Sequence, residues 1–108
     1  MRLSTTQEIP GFRIVAVHGL AEGCVVQSKH LGRDIAAGLK SLVGGEIRGY
    51  SEMLQEARSE ARNRMKRAAE QQGANAIVGV RYTTSAIAQN MSELLAYGTG
   101  VTIVPSDA

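Results

Sequence analysis

A long amphipathic segment over residues 51–72 constrains the fold of this chain more than any other sequence feature. Ser51 is positioned to cap the start of a helix and Gly73 to end it. When successive residues are placed about 100° apart, apolar and mostly small side chains collect on one side. We therefore expect a helix that packs closely on a sheet. The predicted packing stripe comprises Tyr50, Leu54, Ala57, Ala61, Met65, Ala68 and Gln72.

Charged side chains flank this stripe on both sides. Like charges recur every four residues on each flank, which mildly destabilises an isolated helix. One interpretation is a head-to-tail ring, in which the basic flank of one subunit meets the acidic flank of the next. The alternative is a solvated helix, with Arg64 paired to Glu60. Arg67 would then pair with Glu70. The basic flank comprises Arg58, Arg62 and Lys66, and the acidic flank Glu52, Glu56 and Glu60.

The segment over residues 13–28 is rich in β-branched residues and predicts a strand. Gly19 and Gly23 interrupt it, which leaves two interpretations. The segment is either one long strand with a glycine bend or bulge, or a tight hairpin that turns around Ala21 and Glu22. We favour the bent strand.

Three further elements complete the expected order. Asp34 can cap a short helix that Gly44 and Gly45 would end. Strands are predicted over residues 76–84 and from residue 93 or 94 to 104, with a turn over 88–92 between them. The order strand, helix, helix, strand, strand places the chain in the α+β class, with an antiparallel sheet packed on a long helix.

The last strand alternates between two kinds of side chain. Ala96, Gly98 and Gly100 form a small face that can accept the helix closely. The opposite face should be polar if it met water, yet it is apolar. A neighbouring subunit is therefore expected to cover it. The residues of this second face are Leu95, Tyr97, Val101 and Ile103, of which Leu95, Tyr97 and Val101 are predicted interface residues.

Composition narrows the possible functions. The chain has 108 residues, enough for a single domain spanning residues 1–108. Its net charge of +2 lacks the basic excess typical of nucleic-acid-binding domains. It has no apolar run of the roughly 20 residues that span a bilayer. The single Cys24 fits a reducing compartment. We therefore expect a cytoplasmic protein whose partner is itself, not nucleic acid or a membrane.

The sequence offers few residues that could form a metal-binding or catalytic site. The possible soft-metal ligands are His18, Cys24 and His30, with no close Cys or His spacing. In a straight strand His18 and Cys24 would lie about 20 Å apart, so only a hairpin or a ring could bring such ligands together. No catalytic residues are indicated, so we expect a non-enzyme without a cofactor. A flavin or other planar ligand is a further alternative, which the low aromatic content disfavours.

Several segments, in order along the chain, resemble the YbjQ-like family, whose members are often labelled as heavy-metal-binding domains. The resemblance implies a dodecin-like β-α-β-β subunit and a homopentameric ring, and it carries over no catalytic residues. At position 100 the family more often has Ala. The matching segments are Thr5-Thr6, Ile9-Pro10-Gly11, Arg33-Asp34-Ile35, Val43-Gly44-Gly45-Glu46, Tyr50 with Leu54-Gln55-Glu56-Ala57-Arg58, Gly73-Ala74-Asn75-Ala76-Ile77-Val78-Gly79-Val80-Arg81-Tyr82, and Ala96-Tyr97-Gly98-Thr99-Gly100-Val101.

Sequence and resemblance together predict a homo-oligomeric ring with a structural or small-ligand-binding role. The alternative is a metal-binding or metal-trafficking protein, for which Cys24 and the two histidines are the only support.

Overall fold

A computed structural model describes residues 1–28, 45–88 and 91–107 of the chain. The short helix predicted after Asp34 lies outside these residues, as does His30. The described residues form one long helix and four strands. In chain order these are β1 (Arg2–Leu3), β2 (Phe12–Ser28), α1 (Gly45–Gln71), β3 (Ala76–Ala88) and β4 (Met91–Pro105).

The four strands form one sheet in the order β1-β3-β4-β2. Strands β2 and β3 both run antiparallel to β4, as predicted. The expectation of a purely antiparallel sheet is wrong, however, because β1 pairs parallel to β3. Strand β1 has only two residues, too few to show an alternating pattern in the sequence. The α+β class and the long helix packed on the sheet are confirmed.

Strand β2 is continuous over 17 residues, so the bent strand is confirmed and the hairpin is wrong. Its pairing with β4 shifts register between Ile14 and Ala16 and again between Val17 and Gly19. Gly19 has a φ of 120°, a conformation that residues with a Cβ rarely adopt. The glycine thus bends the strand without ending it.

Helix α1 begins at Gly45, well before the predicted cap at Ser51. Ser51 therefore lies inside the helix, and Gly45 opens a helix where it was predicted to end one. Propensity is a weak guide at helix starts, and packing often overrides it. The other end is as predicted. The Gly73 amide donates to the Glu70 carbonyl, and Gly73 has a φ of 90°, typical of a glycine that ends a helix.

The helix packs on the sheet through a stripe of small residues around one methionine. Ala61, Met65 and Ala69 are fully buried there. Ala69 takes the place predicted for Ala68, which is only half-buried. A Cβ added at Gly23 of β2 would meet the carbonyl oxygen of Ala61 and the amide nitrogen of Met65. The backbones of helix and sheet are therefore in direct contact.

A second, smaller core lies on the other side of the sheet. Its buried residues include Val101 and Ile103, against which Ile9 of the N-terminal segment and Phe12 and Ile14 at the start of β2 pack. Val101 is 1% exposed within the single chain. The expectation that a neighbouring subunit must cover Val101 and Ile103 is therefore wrong, because Ile9 and the start of β2 in the same chain pack against them.

Hydrogen bonds hold this N-terminal segment in place. The Ser4 amide donates to the Ile77 carbonyl, and the Gly79 amide donates to the Thr6 carbonyl. The Arg2 guanidinium also lies 4.3 Å from the centre of the Phe12 ring, within the range of a cation–π contact. These contacts extend the short β1 pairing into a fixed cover over one end of the sheet.

Candidate functional site

An apolar surface is left uncovered on the side of the sheet opposite α1. We call it the open face. Strand residues alternate between the two sides, so the neighbours of the residues buried under the helix point to this side. Val17 is 69% exposed and Leu20 61% exposed, values high for large apolar side chains. The apolar residues of the open face are Val17, Leu20 and Val26 of β2 together with the half-buried Leu95 and Tyr97 of β4. Glu22, Cys24 and Glu93 lie on the same side, since Glu22 pairs with Tyr97, Cys24 with Leu95 and Glu93 with Val26.

Two of the predicted interface residues, Leu95 and Tyr97, thus lie on the open face. Sequence reasoning missed the residues of β2 that continue this surface. The two register shifts in β2 interrupt its simple alternation, so the sides of its residues could not be assigned from the pattern alone.

Cys24 is half-buried and pairs with Leu95 across the strands, which places its side chain on the open face. Its thiol hydrogen-bonds to the Glu93 carboxylate, and this bond, burial and the charge of Glu93 raise the pKa of the thiol above its ordinary value. A raised pKa keeps the sulfur protonated near neutral pH. Since thiolates are the nucleophilic and metal-binding form, Cys24 is poorly suited to either role.

We expect Glu93→Gln to lower the pKa of the Cys24 thiol. The substitution removes the negative charge that opposes ionisation and replaces the carboxylate with a weaker acceptor. The thiolate absorbance followed through a pH titration measures this change, with Cys24→Ser as the blank. A pKa unchanged by Glu93→Gln would show that Glu93 does not control the thiol.

His18 lies on the helix side of the sheet. Its Nε2 atom is 2.7 Å from the Thr102 hydroxyl oxygen, and its ring lies near Gly73 at the end of α1. His18 and Cys24 are therefore on opposite sides of the sheet. In the described part of the chain, no three His, Cys, Asp or Glu side chains come together as metal ligands. These residues of a single chain do not fit a soft-metal site.

The acidic flank of α1 is partly paired within the chain. Glu60 Oε1 accepts from Arg64 Nε at 3.0 Å and from Arg67 Nη2 at 3.4 Å. The pairing of Arg64 with Glu60 is the one expected for a solvated helix, whereas Arg67 pairs with Glu60 and not with Glu70. The flank-to-flank contact with a second subunit stays a prediction.

A small concave surface lies between α1 and β3. We call it the basic cleft. It is lined by Gln55, Arg58 and Arg62 of the helix and by Tyr82 of the strand, and it encloses about 370 Å³. The four-residue spacing of Arg58 and Arg62, which places them on one side of a helix, is visible in the sequence. The position of Tyr82 opposite them is not, because it depends on how β3 lies beneath the helix.

No helix in the described ranges carries a stretch that is long and apolar enough to cross a membrane.

Comparison with known proteins agrees with the fold. A crystal structure of a protein of unknown function from Pediococcus pentosaceus, assigned to the DUF74 family, superposes with a TM-score of 0.62 at 20% identity. The match covers 96% of this chain and 98% of that one. At this identity the likeness establishes the fold alone.

Relatives at higher identity span nearly the full length. A "UPF0145 protein" from Shewanella frigidimarina is 58% identical over 106 residues, covering 98% of this chain and 99% of the relative. Another from Thermotoga maritima is 54% identical over 101 residues, covering 94% and 95%. Neither name states an enzymatic activity. The model of the YbjQ family, described as "Putative heavy-metal-binding", matches residues 1–104. The chain therefore belongs to the YbjQ family.

Proposed function

We propose that this chain is a subunit of a closed homo-oligomeric ring, pentameric as the family resemblance implies, with a structural role in the cytoplasm. The observation that carries the proposal is the open face. A single chain leaves Val17, Leu20 and Val26 about half exposed or more. Apolar residues grouped in this way mark an interaction surface. A second copy of the chain is the partner that is always present.

The shape of the protomer supports assembly. Its radius of gyration is 17.5 Å and its longest extent is 59 Å. A compact chain of this length would have a radius near 13 Å. The 17-residue strand β2 accounts for the elongation, because strands rise about 3.3 Å per residue. Such a long, thin subunit covers little of its own surface, and packing side by side with copies would cover more.

The free strand edges support the proposed ring. Among the described residues, β2 has a strand on one side only, and β3 has no partner on its outer side beyond the N-terminal segment. Unpaired edges readily bind another strand. Pairing β2 of one subunit with β3 of the next joins two different surfaces, which is the heterologous contact that generates closed rings. In the proposed ring the joined sheets curve so that the open faces of the subunits turn inward and cover one another.

We expect Leu20→Glu to dissociate the oligomer. Leu20 is 61% exposed, so the fold of one chain should tolerate the change, whereas a charge buried between subunits should weaken association at least tenfold. Light scattering after size-exclusion chromatography gives the mass of the wild type and the variant, and circular dichroism confirms folding.

Asn63→Glu is the matched control, because Asn63 is exposed on α1, away from the open face. It should keep the wild-type mass. A folded Leu20→Glu variant that also keeps the wild-type mass would show that the open face is not the contact between subunits.

A further inference from the structure

The basic cleft brings together side chains from two elements. Gln55, Arg58 and Arg62 lie one turn apart along one face of α1, as residues three and four apart do. Tyr82 faces them from β3, where it pairs with Ala96 on the helix side of the sheet. Tyr82 is 41% exposed, so the cleft is open to solvent.

Among the described side chains of α1, no acidic residue pairs with either arginine. The residues one turn from Arg58 are Leu54, Gln55, Ala61 and Arg62, and Arg62 is followed one turn later by Met65 and Lys66. Among the described side chains, the ion pairs of α1 are those of Glu60 with Arg64 and Arg67. Two neighbouring cations therefore repel each other in the free chain, and an anion between them would relieve the repulsion.

The lining groups favour one class of anion. Guanidinium groups only donate hydrogen bonds, in a planar fork that matches phosphate oxygens, and Gln55 and Tyr82 can add an amide and a hydroxyl donor. A volume of about 370 Å³ lies at the small end of ligand-binding pockets. We propose that the basic cleft binds the phosphate group of a small phosphorylated molecule.

A carboxylate from the acidic flank of a neighbouring subunit is the competing occupant. Glu60 of that flank already pairs with Arg64 and Arg67 in its own chain, which leaves Glu52 and Glu56 as the carboxylates that compete with a free anion. The phosphate site goes beyond the proposed ring and does not depend on it, because all its residues belong to one chain.

Inorganic pyrophosphate, titrated calorimetrically into the full-length protein in phosphate-free buffer, tests the site. We expect saturable binding to the wild type, weakened at least tenfold by the double substitution Arg58→Gln and Arg62→Gln. Arg62→Lys keeps the charge but loses the planar fork, so binding should weaken several-fold. Arg67→Gln removes the same charge from outside the cleft and should stay within about twofold of the wild type.

The mass of each protein is measured on the same samples. If pyrophosphate produces no more heat with the wild type than sodium chloride does at equal ionic strength, the phosphate site is overturned. An equal loss in Arg67→Gln would also overturn it, because binding would then follow net charge alone. If the double variant loses the oligomer and the wild type binds no pyrophosphate, the arginines hold a neighbour's carboxylates instead. Binding by a wild-type protein that is a monomer would support the site and contradict the ring.

Discussion

Gly23→Ala should lower the free energy of unfolding by about 3 kcal/mol or more, at the upper end of what overpacking costs. The added methyl group would meet backbone atoms of Ala61 and Met65, and it would lie 2.8 Å from the Arg64 Cβ. None of these atoms can move by rotating a side chain. The helix must therefore shift away from the sheet, and the buried contacts beneath it weaken together.

Thermal unfolding followed by circular dichroism measures this effect, with an expected fall in Tm of about 10 °C or more. Gly100→Ala is the matched control. Its added methyl group would meet the Gln72 Oε1 at 2.7 Å, which is the end of a side chain that can turn away if it gives up its hydrogen bond to the Leu20 carbonyl, and it would lie 3.3 Å from the Ala74 Cβ. We expect it to cost about 1 kcal/mol, well below the cost of Gly23→Ala. Equal effects at the two glycines would contradict the direct backbone contact described at Gly23.

Met65→Ala should destabilise the fold by about 2–5 kcal/mol, the range for truncating a fully buried large side chain. Met65 is 0% exposed and is the largest fully buried side chain of the helix stripe. Its neighbours on that stripe, Ala61 and Ala69, are too short to fill the space that it would leave. The cavity should therefore persist, and the loss in the free energy of unfolding should lie in the upper part of this range.

Urea denaturation gives the free energy of unfolding for this comparison. Met53→Ala serves as the control, since Met53 lies on the same helix and is only half-buried. It should cost less than half as much as Met65→Ala. A similar loss at both positions would mean that the helix is stabilised along its whole length and not mainly where Met65 enters the core.

The sequence predicts the buried residues correctly where packing follows the helical repeat of the chain. The stripe containing Ala57, Ala61 and Met65 was predicted from spacing alone and is buried. The choice between Ala68 and Ala69 could not be made in this way, because adjacent residues differ by about 100° and both are small. The start of α1 at Gly45 was missed for a related reason, since a glycine pair predicts a helix end more often than a beginning.

Contacts between distant parts of the chain were harder to predict. Leu95 and Tyr97 were placed on an uncovered face by alternation, and they do lie there. Val101 follows the same alternation, yet Ile9 and Phe12 from the other end of the chain cover it. The meeting of Tyr82 with Arg58 and Arg62 likewise depends on the placement of α1 over the sheet, which no local pattern contains.

The mass of the wild-type protein in solution tests the central claim most directly. Sedimentation velocity at micromolar concentrations should show one species several times heavier than the 11.5 kDa chain, and five times heavier if the ring is a pentamer. A single well-folded species at 11.5 kDa across that concentration range would show that the open face needs no second copy, and the ring would be contradicted.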